Sequence, residues 1–384
     1  MDRQSGRHVF GWDPTFSASP PAGLALAELA PAARRRNPAN GFRSLPSPTG
    51  QFPFHLDLAE ILDHEAINAI ATSGKLVFQT VGDTGQKSNG AAAQEAVAHH
   101  MVEQFRSPAA DRPHFFYHLG DVVYFNGARD SYEEQFYDPY KNYPGPIFAI
   151  PGNHDGAVPR GDSPLQGFME NFCSPQPQHS EFAGESTRTT MTQPNCYWTL
   201  RTPFGRIIGL YSNVPGALDR QTPQQRNWLT EELRNAADER CVIVAVHHPP
   251  YSRDTSHGGY EAIGNALDAA FRDSGRVPTL VLNGHVHNYQ RFERDMSGFG
   301  VVRTLPYVVA GAGGFAGYDT LHQIDVGNVL PSGVAAQAQD DSLPGFLRIT
   351  LTATEIVGEY FVVPRPPRQL VDPAIKRDEF RVTL

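Results

Sequence analysis

From about residue 56 onwards, short runs of consecutive apolar residues alternate with longer stretches in which apolar residues recur every three or four positions. Short apolar runs are typical of buried strands and the periodic stretches of flanking helices, so the pattern predicts an α/β fold. The predicted strands are 75–81, 114–119, 146–150, 196–201, 206–212, 241–246, 279–282, 307–310, and a closing hairpin of 346–352 with 355–363. The predicted helices are 57–71, 90–106, 222–236 and 259–273, with a short helical region near 130–137. Thr222 is expected to cap the third helix, with Pro223 in its first turn.

Residues 1–55 do not follow this pattern. Prolines and scattered apolar residues dominate there, with an arginine cluster at 34–36 that we interpret as a solvated turn. We therefore expect an irregular, Pro-rich N-terminal arm over 1–55, wrapped on the core or partly disordered, and one large domain over 56–384. A second region without periodicity, 156–195, is a long polar insertion of the kind that forms lids or binding loops.

Polar side chains stand at the ends of five predicted strands, each in a turn that contains a glycine or a proline. They are Asp83, Asp121, Asn153, His247 and His285. Ligands of an α/β sheet bind beyond the carboxyl ends of its strands, so we expect these residues to meet at one site. Carboxylate, amide oxygen and imidazole are all metal ligands, and the site is therefore a candidate metal centre.

A tyrosine lies close to one of these aspartates in the sequence. The two carboxylate oxygens of Asp121 can bridge two cations, and Tyr124 follows three residues later. Tyrosine is an unusual ligand, because its hydroxyl loses its proton near pH ~10 unless a strong Lewis acid is present. If Asp121 and Tyr124 bind the same metal, we expect that metal to be trivalent.

The composition narrows the function further. A net charge of −9 gives no basic surface for nucleic acid, and no apolar run approaches the ~18 residues of a membrane span. The N-terminal sequence lacks the apolar core of a secretory signal, which predicts a cytoplasmic protein, or a secreted or periplasmic one if a leader has been trimmed. Three cysteines are too few for a disulfide framework. Cys173 and Cys196 could pair in an oxidising compartment, but buried thiols are the interpretation we favour.

Five short motifs stand at these strand ends in the order Gly-Asp-x-Gly, Gly-Asp-x-x-Tyr, Gly-Asn-His-Asp, Val-x-x-His and Gly-His-x-His. Together they resemble the calcineurin-like metallophosphoesterases, and more narrowly the purple acid phosphatases, over about residues 75–315. The generic superfamily pattern opens with Asp-x-His, but Asp83 is followed here by Thr84 and Gly85, so that histidine is absent. Tyr124 stands where the purple acid phosphatases have a tyrosinate ligand in place of that histidine.

The resemblance implies an architecture and a set of metal ligands. The fold would be a four-layer α-β-β-α sandwich of two mixed β-sheets flanked by helices, with 56–384 as the metallophosphoesterase catalytic domain. Metal 1, expected to be Fe(III), would have the ligands Asp83, Tyr124 and His287. Metal 2, expected to be divalent Fe, Zn or Mn, would have the ligands Asn153, His247 and His285. Asp121 would bridge the two metals.

The resemblance also implies roles for residues beside the ligands. His154 corresponds to a histidine that contacts the substrate phosphate, Asp155 would orient His154, and His257 is a candidate general acid for the leaving alkoxide. The predicted activity is hydrolysis of small phosphomonoesters through attack by a metal-bound hydroxide. The alternative is a phosphodiesterase on the same scaffold, and a third hypothesis is a binding protein with a degenerate metal site. No oligomeric state is predicted.

Overall fold

The fold is built on two mixed β-sheets that pack face to face. The computed structural model describes residues 41–85, 91–157, 161–315, 320–321, 327, 333–365 and 367–384. Within these residues the strands are β1 (His55–Asp57), β2 (Leu76–Val81), β3 (Phe115–His118), β4 (Ile147–Ala149), β5 (Trp198–Thr202), β6 (Gly205–Leu210), β7 (Cys241–Val246), β8 (Leu280–Asn283), β9 (Tyr289–Asp295), β10 (Thr304–Ala310), β11 (Val334–Asp340), β12 (Gly345–Leu351), β13 (Glu355–Val362) and β14 (Ile375–Thr383). One sheet has the order β1-β5-β6-β7-β8-β10-β9-β11 and the other the order β14-β13-β12-β2-β3-β4.

Helices flank these two sheets. The α-helices of the described residues are α1 (Leu58–Ile61), α2 (His64–Ser73), α3 (Ala91–Glu103), α4 (Asn153–Gly156), α5 (Gln166–Phe172), α6 (Gln224–Arg234) and α7 (Glu261–Ser274). The region near 130–137 forms a 3-10 turn followed by a π-helical turn, Glu133–Tyr137. The architecture of two mixed sheets flanked by helices, predicted from the sequence, is confirmed.

The core lies between the sheets, because the central strands are buried on both faces. Every residue of β2, β3, β7 and β8 is buried. Tyr117 of β3 stacks on Trp198 of β5 with ring centroids 6.0 Å apart, and Phe148 of β4 contacts the same indole at 5.6 Å. Large buried aromatic side chains contribute strongly to stability, so the frame that carries the strand ends is well packed.

The strand directions bring the predicted site residues to one edge of the sandwich. β2, β3 and β4 are parallel neighbours in one sheet, and β7 and β8 are parallel neighbours in the other. A hydrogen bond between the loop after β8 and the loop after β2 joins the two sets of strand ends directly. The residues delivered to this edge are Asp83, Asp121, Asn153, His247 and His285.

Two predicted helices begin at other residues than the sequence pattern indicates. The helix expected over 57–71 is divided in two, because the Asp63 side chain accepts a hydrogen bond from an N–H of the next turn at 2.8 Å and caps α2. The predicted cap at Thr222 is wrong, since α6 begins at Gln224 and the Asp219 carboxylate accepts from its first amides. In both places an aspartate side chain satisfies N–H groups that lack a partner within the helix.

Four strands of the structure are not predicted from the sequence, namely β1, β9, β11 and β14. The sequence of β14 contains charged residues at most positions, and it lies at the edge of its sheet, paired only with β13. Antiparallel strands with one solvent-exposed face lack the continuous apolar runs of buried parallel strands. A search for apolar runs therefore misses three of the four edge strands, β1, β11 and β14, together with the neighbouring β9.

The N-terminal segment is described from residue 41, so residues 1–40, with the arginine cluster, lie outside the described residues. Residues 41–54 have no regular structure and pack on the core. Phe54 is buried, and the Trp228 indole donates a hydrogen bond to the Pro53 carbonyl at 2.9 Å. In the insertion 156–195, the described residues contain the helix α5 and otherwise irregular chain.

All three cysteines are buried free thiols, which agrees with the interpretation we favoured for Cys173 and Cys196. Burial raises the pKa of both thiols, so both are held in the protonated form. Among the helices that the structure describes, none is long and apolar enough to cross a membrane.

Candidate metal centre

Three of the predicted metal ligands have an uncommon backbone conformation. Asp83, Asp121 and His285 have φ angles of 60°, 53° and 71°, in the left-handed region that costs a non-glycine residue about 1–3 kcal/mol. Hydrogen bonds hold these turns. The Asp83 N–H donates to the Gly120 carbonyl at 3.0 Å, and the His285 N–H donates to the Asp83 carboxylate at 2.7 Å. The loops that carry the ligands therefore fix one another across the two sheets.

One group of donor atoms consists of Asp83, Tyr124 and His287, which we call the metal 1 group. The Tyr124 hydroxyl lies 3.2 Å from Asp83 Oδ1 and 3.3 Å from His287 Nε2, and these last two atoms are 3.7 Å apart. Asp83 and Tyr124 are buried. Carboxylate and phenol oxygens converge here with one imidazole, a donor set that suits a hard cation.

A second group consists of Asn153, His247 and His285, which we call the metal 2 group. Asn153 Oδ1 lies 3.1 Å from His247 Nε2 and 3.0 Å from His285 Nδ1. Asp121 lies close to this group, because its Oδ2 is 3.4 Å from His247 Nε2. Asp121, His247 and His285 each contribute one donor atom to a cluster whose members lie within 4.8 Å of one another. An amide oxygen and two imidazoles suit a borderline divalent cation.

The two histidines of the metal 2 group present their ring nitrogens in a defined way. His247 Nδ1 lies 2.8 Å from the Leu119 carbonyl, which can only accept, so Nδ1 carries the proton and Nε2 faces Asp121. His285 presents Nδ1 to Asn153, and its Nε2 lies 2.7 Å from the Tyr260 hydroxyl. Each ring therefore has one nitrogen towards the donor cluster and the other on a fixed partner.

Burial and neighbouring charges shift the protonation of these groups. Burial opposes ionisation of Asp121 and His247, but their mutual attraction outweighs it, so the pKa of Asp121 falls and the pKa of His247 rises to about 9. Burial raises the pKa of Asp83 well above its usual value. Burial and the nearby carboxylates likewise raise the pKa of Tyr124. Donors of this kind fit metal cations, which would displace protons on binding.

Tyr124 is held in place by its main chain and by its ring. The side-chain amide of Gln135, in the π-helical turn, accepts from the Tyr124 N–H at 2.8 Å and donates to the Tyr124 carbonyl at 2.7 Å. We call such a pair of bonds an amide clamp. The phenol ring stacks on Phe315 with centroids 4.0 Å apart and contacts the His154 ring at 4.4 Å. The hydroxyl is therefore directed at Asp83 by contacts on several sides.

The position where the generic superfamily pattern has a histidine is closed in this structure. A Cβ atom on Gly85 would lie 2.3 Å from the Val122 carbonyl oxygen and 2.7 Å from Oε1 of Gln135. Neither distance is compatible with a side chain at position 85 unless the neighbouring chain shifts. The amide clamp on Tyr124 thus occupies the space next to the position where that histidine would begin.

His154 lies beside both groups. Its main-chain N–H donates to Asp121 Oδ1 at 2.8 Å, and its ring Nδ1 lies 2.8 Å from the Phe125 carbonyl. Because that carbonyl requires a proton on Nδ1, Nε2 is the nitrogen on the side of the cluster, 3.9 Å from Asp121 Oδ2. The side chain is 14% exposed, so it remains reachable from solvent.

Asp155 is buried behind these loops. Its carboxylate accepts hydrogen bonds from the N–H groups of Gly152, Val122 and Val123 at 2.8–3.2 Å. Burial raises its pKa to about 7. These contacts join the loops after β3 and β4, whereas the ring of His154 is held by Phe125, so any effect of Asp155 on His154 is exerted through the loop.

His257 is brought next to His285 and His287. Its ring centroid lies 5.0 Å from that of His285 and 6.4 Å from that of His287. The carboxylate of Asp254 accepts from its main-chain N–H and lies 3.3 Å from its Nδ1. The structure thus assembles all ten predicted site residues along one edge, although their roles remain predictions.

Several residues that shape the site are not found by sequence reasoning. They are Gln135, Tyr260, Phe315 and Asp254. Gln135 lies in the short helical region predicted near 130–137 and Phe315 follows a glycine-rich turn, and neither sequence contains a signal of a role. The signal for Tyr260 is limited to its place at the start of the predicted helix 259–273, after a loop with several histidines.

Two mixed sheets with histidine, aspartate and asparagine donors at the carboxyl ends of their strands define a class of metal-dependent hydrolases. The calcineurin-like phosphoesterase family model matches residues 80–289, more than half of the chain. The chain therefore belongs to the calcineurin-like phosphoesterase family and is a metallophosphoesterase.

Individual relatives agree with this assignment. Tartrate-resistant acid phosphatase type 5 from Oryctolagus cuniculus is 24% identical over 324 residues, which cover 74% of this chain and 86% of the relative. Among solved structures, GAP50, the anchor in the inner membrane complex of Plasmodium, has the same fold, with a TM-score of 0.52 and 16% sequence identity. That similarity covers 79% of this chain and 89% of GAP50.

Proposed function

We propose that this chain hydrolyses phosphomonoesters at a centre of two metal ions, as an enzyme similar to the purple acid phosphatases. The observation that carries the proposal is the position of the Tyr124 hydroxyl, 3.2 Å from Asp83 and 3.3 Å from His287. A tyrosine at that position distinguishes the purple enzymes within the superfamily. The similarity to a tartrate-resistant acid phosphatase supports the same assignment.

The donor atoms support a different metal in each group. In the metal 1 group, a phenol whose pKa is raised by burial and by three nearby carboxylates would lose its proton to Fe(III) more readily than to a divalent ion. The metal 2 group would hold divalent Fe, Zn or Mn through imidazole and amide donors, and Asp121 would bridge the two sites. When bound, the metals would neutralise the phosphoryl oxygens and lower the pKa of the attacking water.

The neighbouring histidines would act on the substrate itself. His154, with Nδ1 on the Phe125 carbonyl, has Nε2 available to bind a phosphate oxygen. His257, next to His285 and His287, would donate a proton to the leaving oxygen, and the Asp254 carboxylate lies 3.3 Å from its Nδ1. Asp155 would fix the loop that carries Asp121 relative to the loop that carries Asn153, because its carboxylate accepts hydrogen bonds from both.

The test combines metal content with substrate preference. Purified protein is analysed for Fe, Zn and Mn, its visible spectrum is recorded, and its turnover of matched chromogenic mono- and diesters is compared. We expect two metal ions per chain, a broad visible band, and faster turnover of the monoester. Faster turnover of the diester would contradict the proposed substrate class and favour a phosphodiesterase. A protein with two metals that hydrolyses neither ester would be a binding protein instead.

A further inference from the structure

We propose that Tyr260 is a positioning residue for the metal 2 group, which keeps the proton of His285 on Nε2 and thereby presents Nδ1 to the metal. The inference rests on the proposed function, because it needs a metal at that group. It concerns a side chain outside every motif that identifies the family. Its consequence would be a second metal that dissociates slowly.

The contact geometry of His285 carries the first step. The two ring nitrogens have different partners, with Nδ1 3.0 Å from Asn153 Oδ1 and Nε2 2.7 Å from the Tyr260 hydroxyl. A nitrogen that binds a metal cannot carry a proton, so the proton must be on the other nitrogen. The Tyr260 oxygen accepts that proton at hydrogen-bond distance, and such a partner typically fixes both the tautomer and the ring orientation of a ligand.

Tyr260 is itself firmly held. Its main-chain N–H donates to the Pro249 carbonyl at 2.8 Å, and it immediately precedes α7. Its ring packs edge-on against His248, with centroids 4.5 Å apart. A Cβ atom on Gly216 would lie 2.3 Å from a carbon of the Tyr260 ring, so the glycine leaves the space that the ring fills. The ring is therefore held by two separate parts of the chain, residues 248–249 and the turn at Gly216.

His248 connects this arrangement to a further element. Its Nδ1 lies 2.6 Å from the Ser212 hydroxyl, and its ring lies 4.3 Å from the His285 ring. His285 is thus packed against His248 on one side and hydrogen-bonded to Tyr260 at its outer nitrogen. With its φ angle of 71°, the backbone of His285 lies in a turn, and these side-chain contacts determine where its ring points.

The other imidazole of the metal 2 group has a partner of a different kind. His247 Nδ1 donates to the Leu119 carbonyl. This acceptor belongs to the main chain, so a side-chain substitution does not remove it. For His285 the equivalent acceptor is a side chain. Replacing one hydroxyl therefore tests the orientation of a single ligand and leaves every ligand in place.

The test compares Tyr260→Phe with Tyr289→Phe. Both variants remove one tyrosine hydroxyl that forms a 2.7 Å hydrogen bond, to His285 in one case and to the Asp378 carboxylate in the other. Each protein is loaded with Zn, dialysed, and exposed to excess chelator while the metal retained per chain is measured over time. We expect Tyr260→Phe to release its second Zn at least about 10-fold faster than the unmodified chain, since partners of this kind typically affect metal affinity by about 10–100-fold. Tyr289→Phe should release its second Zn at the same rate as the unmodified chain.

Activity in the presence of excess Zn separates positioning from substrate contact. If Tyr260 only positions His285, the KM for a chromogenic monoester should be unchanged in Tyr260→Phe once the metal is restored. A raised KM with an unchanged rate of metal release would overturn the proposal, because the hydroxyl would then be a substrate contact. A release rate equal to that of the unmodified chain would overturn it as well. An unmodified chain that binds no second Zn would overturn the proposed function, and this inference with it.

Discussion

The metal 1 group and the metal 2 group hold their donor atoms by different means. In the metal 2 group, the ring nitrogen of each imidazole that points away from the donor cluster forms a hydrogen bond. The partner is the Leu119 carbonyl for His247 and the Tyr260 hydroxyl for His285. In the metal 1 group, Tyr124 is fixed by the stacked ring of Phe315 and by the amide clamp of Gln135 on its main chain. A histidine ligand needs a partner for its second nitrogen, whereas a phenol has no second polar atom and must be held by packing and by its backbone.

The amide clamp of Gln135 is one of three that glutamine side chains form in the described part of the chain. Gln193 forms the same pair of bonds to Ala149 in β4, at 2.7 and 2.9 Å, and Gln225 forms it to Tyr211 after β6, at 2.8 and 2.9 Å. All three glutamines are buried. Each clamp satisfies both polar groups of a residue near a strand end, where a neighbouring strand no longer does so. Only the clamp on Tyr124 acts on a predicted metal ligand, so the other two provide internal controls.

Asp121→Ala is expected to have the largest effect, because it removes the one donor that both groups are proposed to share. We expect each chain to retain less than one metal and kcat/KM for a phosphomonoester to fall by about 10³-fold or more. Metal analysis and steady-state assays measure both quantities. Asp219→Ala is the matched control, since that carboxylate caps α6 and should cost about 1 kcal/mol of stability without loss of metal. An Asp121→Ala protein with both metals bound would contradict a bridging role.

Tyr124→Phe should affect one group only. Without the phenol oxygen, we expect loss of the visible band, weaker binding of metal 1, retention of metal 2, and a fall in kcat of about 10²-fold. Spectra and metal analysis of the same sample test this. Tyr137→Phe is the control, because its buried hydroxyl donates to Asn171 at 2.7 Å, outside the metal 1 and metal 2 groups. If the band persisted in Tyr124→Phe, the phenol would not be a ligand.

Gln135→Leu and Gln225→Leu compare two amide clamps. Each substitution leaves a buried N–H and a buried carbonyl without the side-chain partner, at a cost of about 1–3 kcal/mol in the free energy of unfolding. We expect similar losses of stability in chemical denaturation of the metal-free variants. Only Gln135→Leu should weaken the visible band or the retention of metal 1. Equal changes in the metal properties of the two variants would show that the clamp on Tyr124 has no special role.

The smallest predicted effect concerns pH and a buried histidine that contacts Thr84. His118 is fully buried, its Nε2 lies 2.8 Å from the Thr84 hydroxyl, and burial lowers its pKa to about 3. An unfolded histidine has a pKa near ~6.5, so below that pH the unfolded state binds more protons and the folded state loses stability. We expect the contribution of His118 to lower the free energy of unfolding by about 1 kcal/mol when the pH falls from 7 to 5.5.

The measurement is urea unfolding of the metal-free protein at both pH values, compared with His118→Asn. The substitution removes the titrating ring, so the difference in unfolding free energy between the two pH values should become smaller in the variant. The absolute stability of the variant does not enter this comparison. An identical pH dependence in both proteins would mean that His118 is not held neutral by burial.

The sequence predicts the two sheets and the identity of the donors for a physical reason. Buried parallel strands need continuous apolar runs, and the polar residues directly after them, such as Asp121 and His247, stand out against that pattern. The charged edge strand β14 has no such contrast and is missed. The buried parallel strands and the donors are therefore predictable from the sequence, whereas strands rich in charged residues, such as β14, are not.

The arrangement around the donors depends on contacts between distant parts of the chain. The positive φ angle of His285 is maintained by the carboxylate of Asp83, about two hundred residues earlier in the sequence. Tyr260 and Gln135 act on ligands through hydrogen bonds that only the folded chain creates. Spacing and periodicity contain no information on such contacts, so the orientation of the ligands could not be predicted from them.

The close packing around Gly85 bears on how a metal centre of this kind can change over evolutionary time. A single substitution to histidine at this position would collide with the Val122 carbonyl and with Gln135 before it could reach a metal. Restoring the generic ligand would require the Gln135 clamp to be given up as well, and Tyr124 would then lose its support. A histidine at position 85 and the Gln135 clamp on Tyr124 therefore exclude one another in this packing.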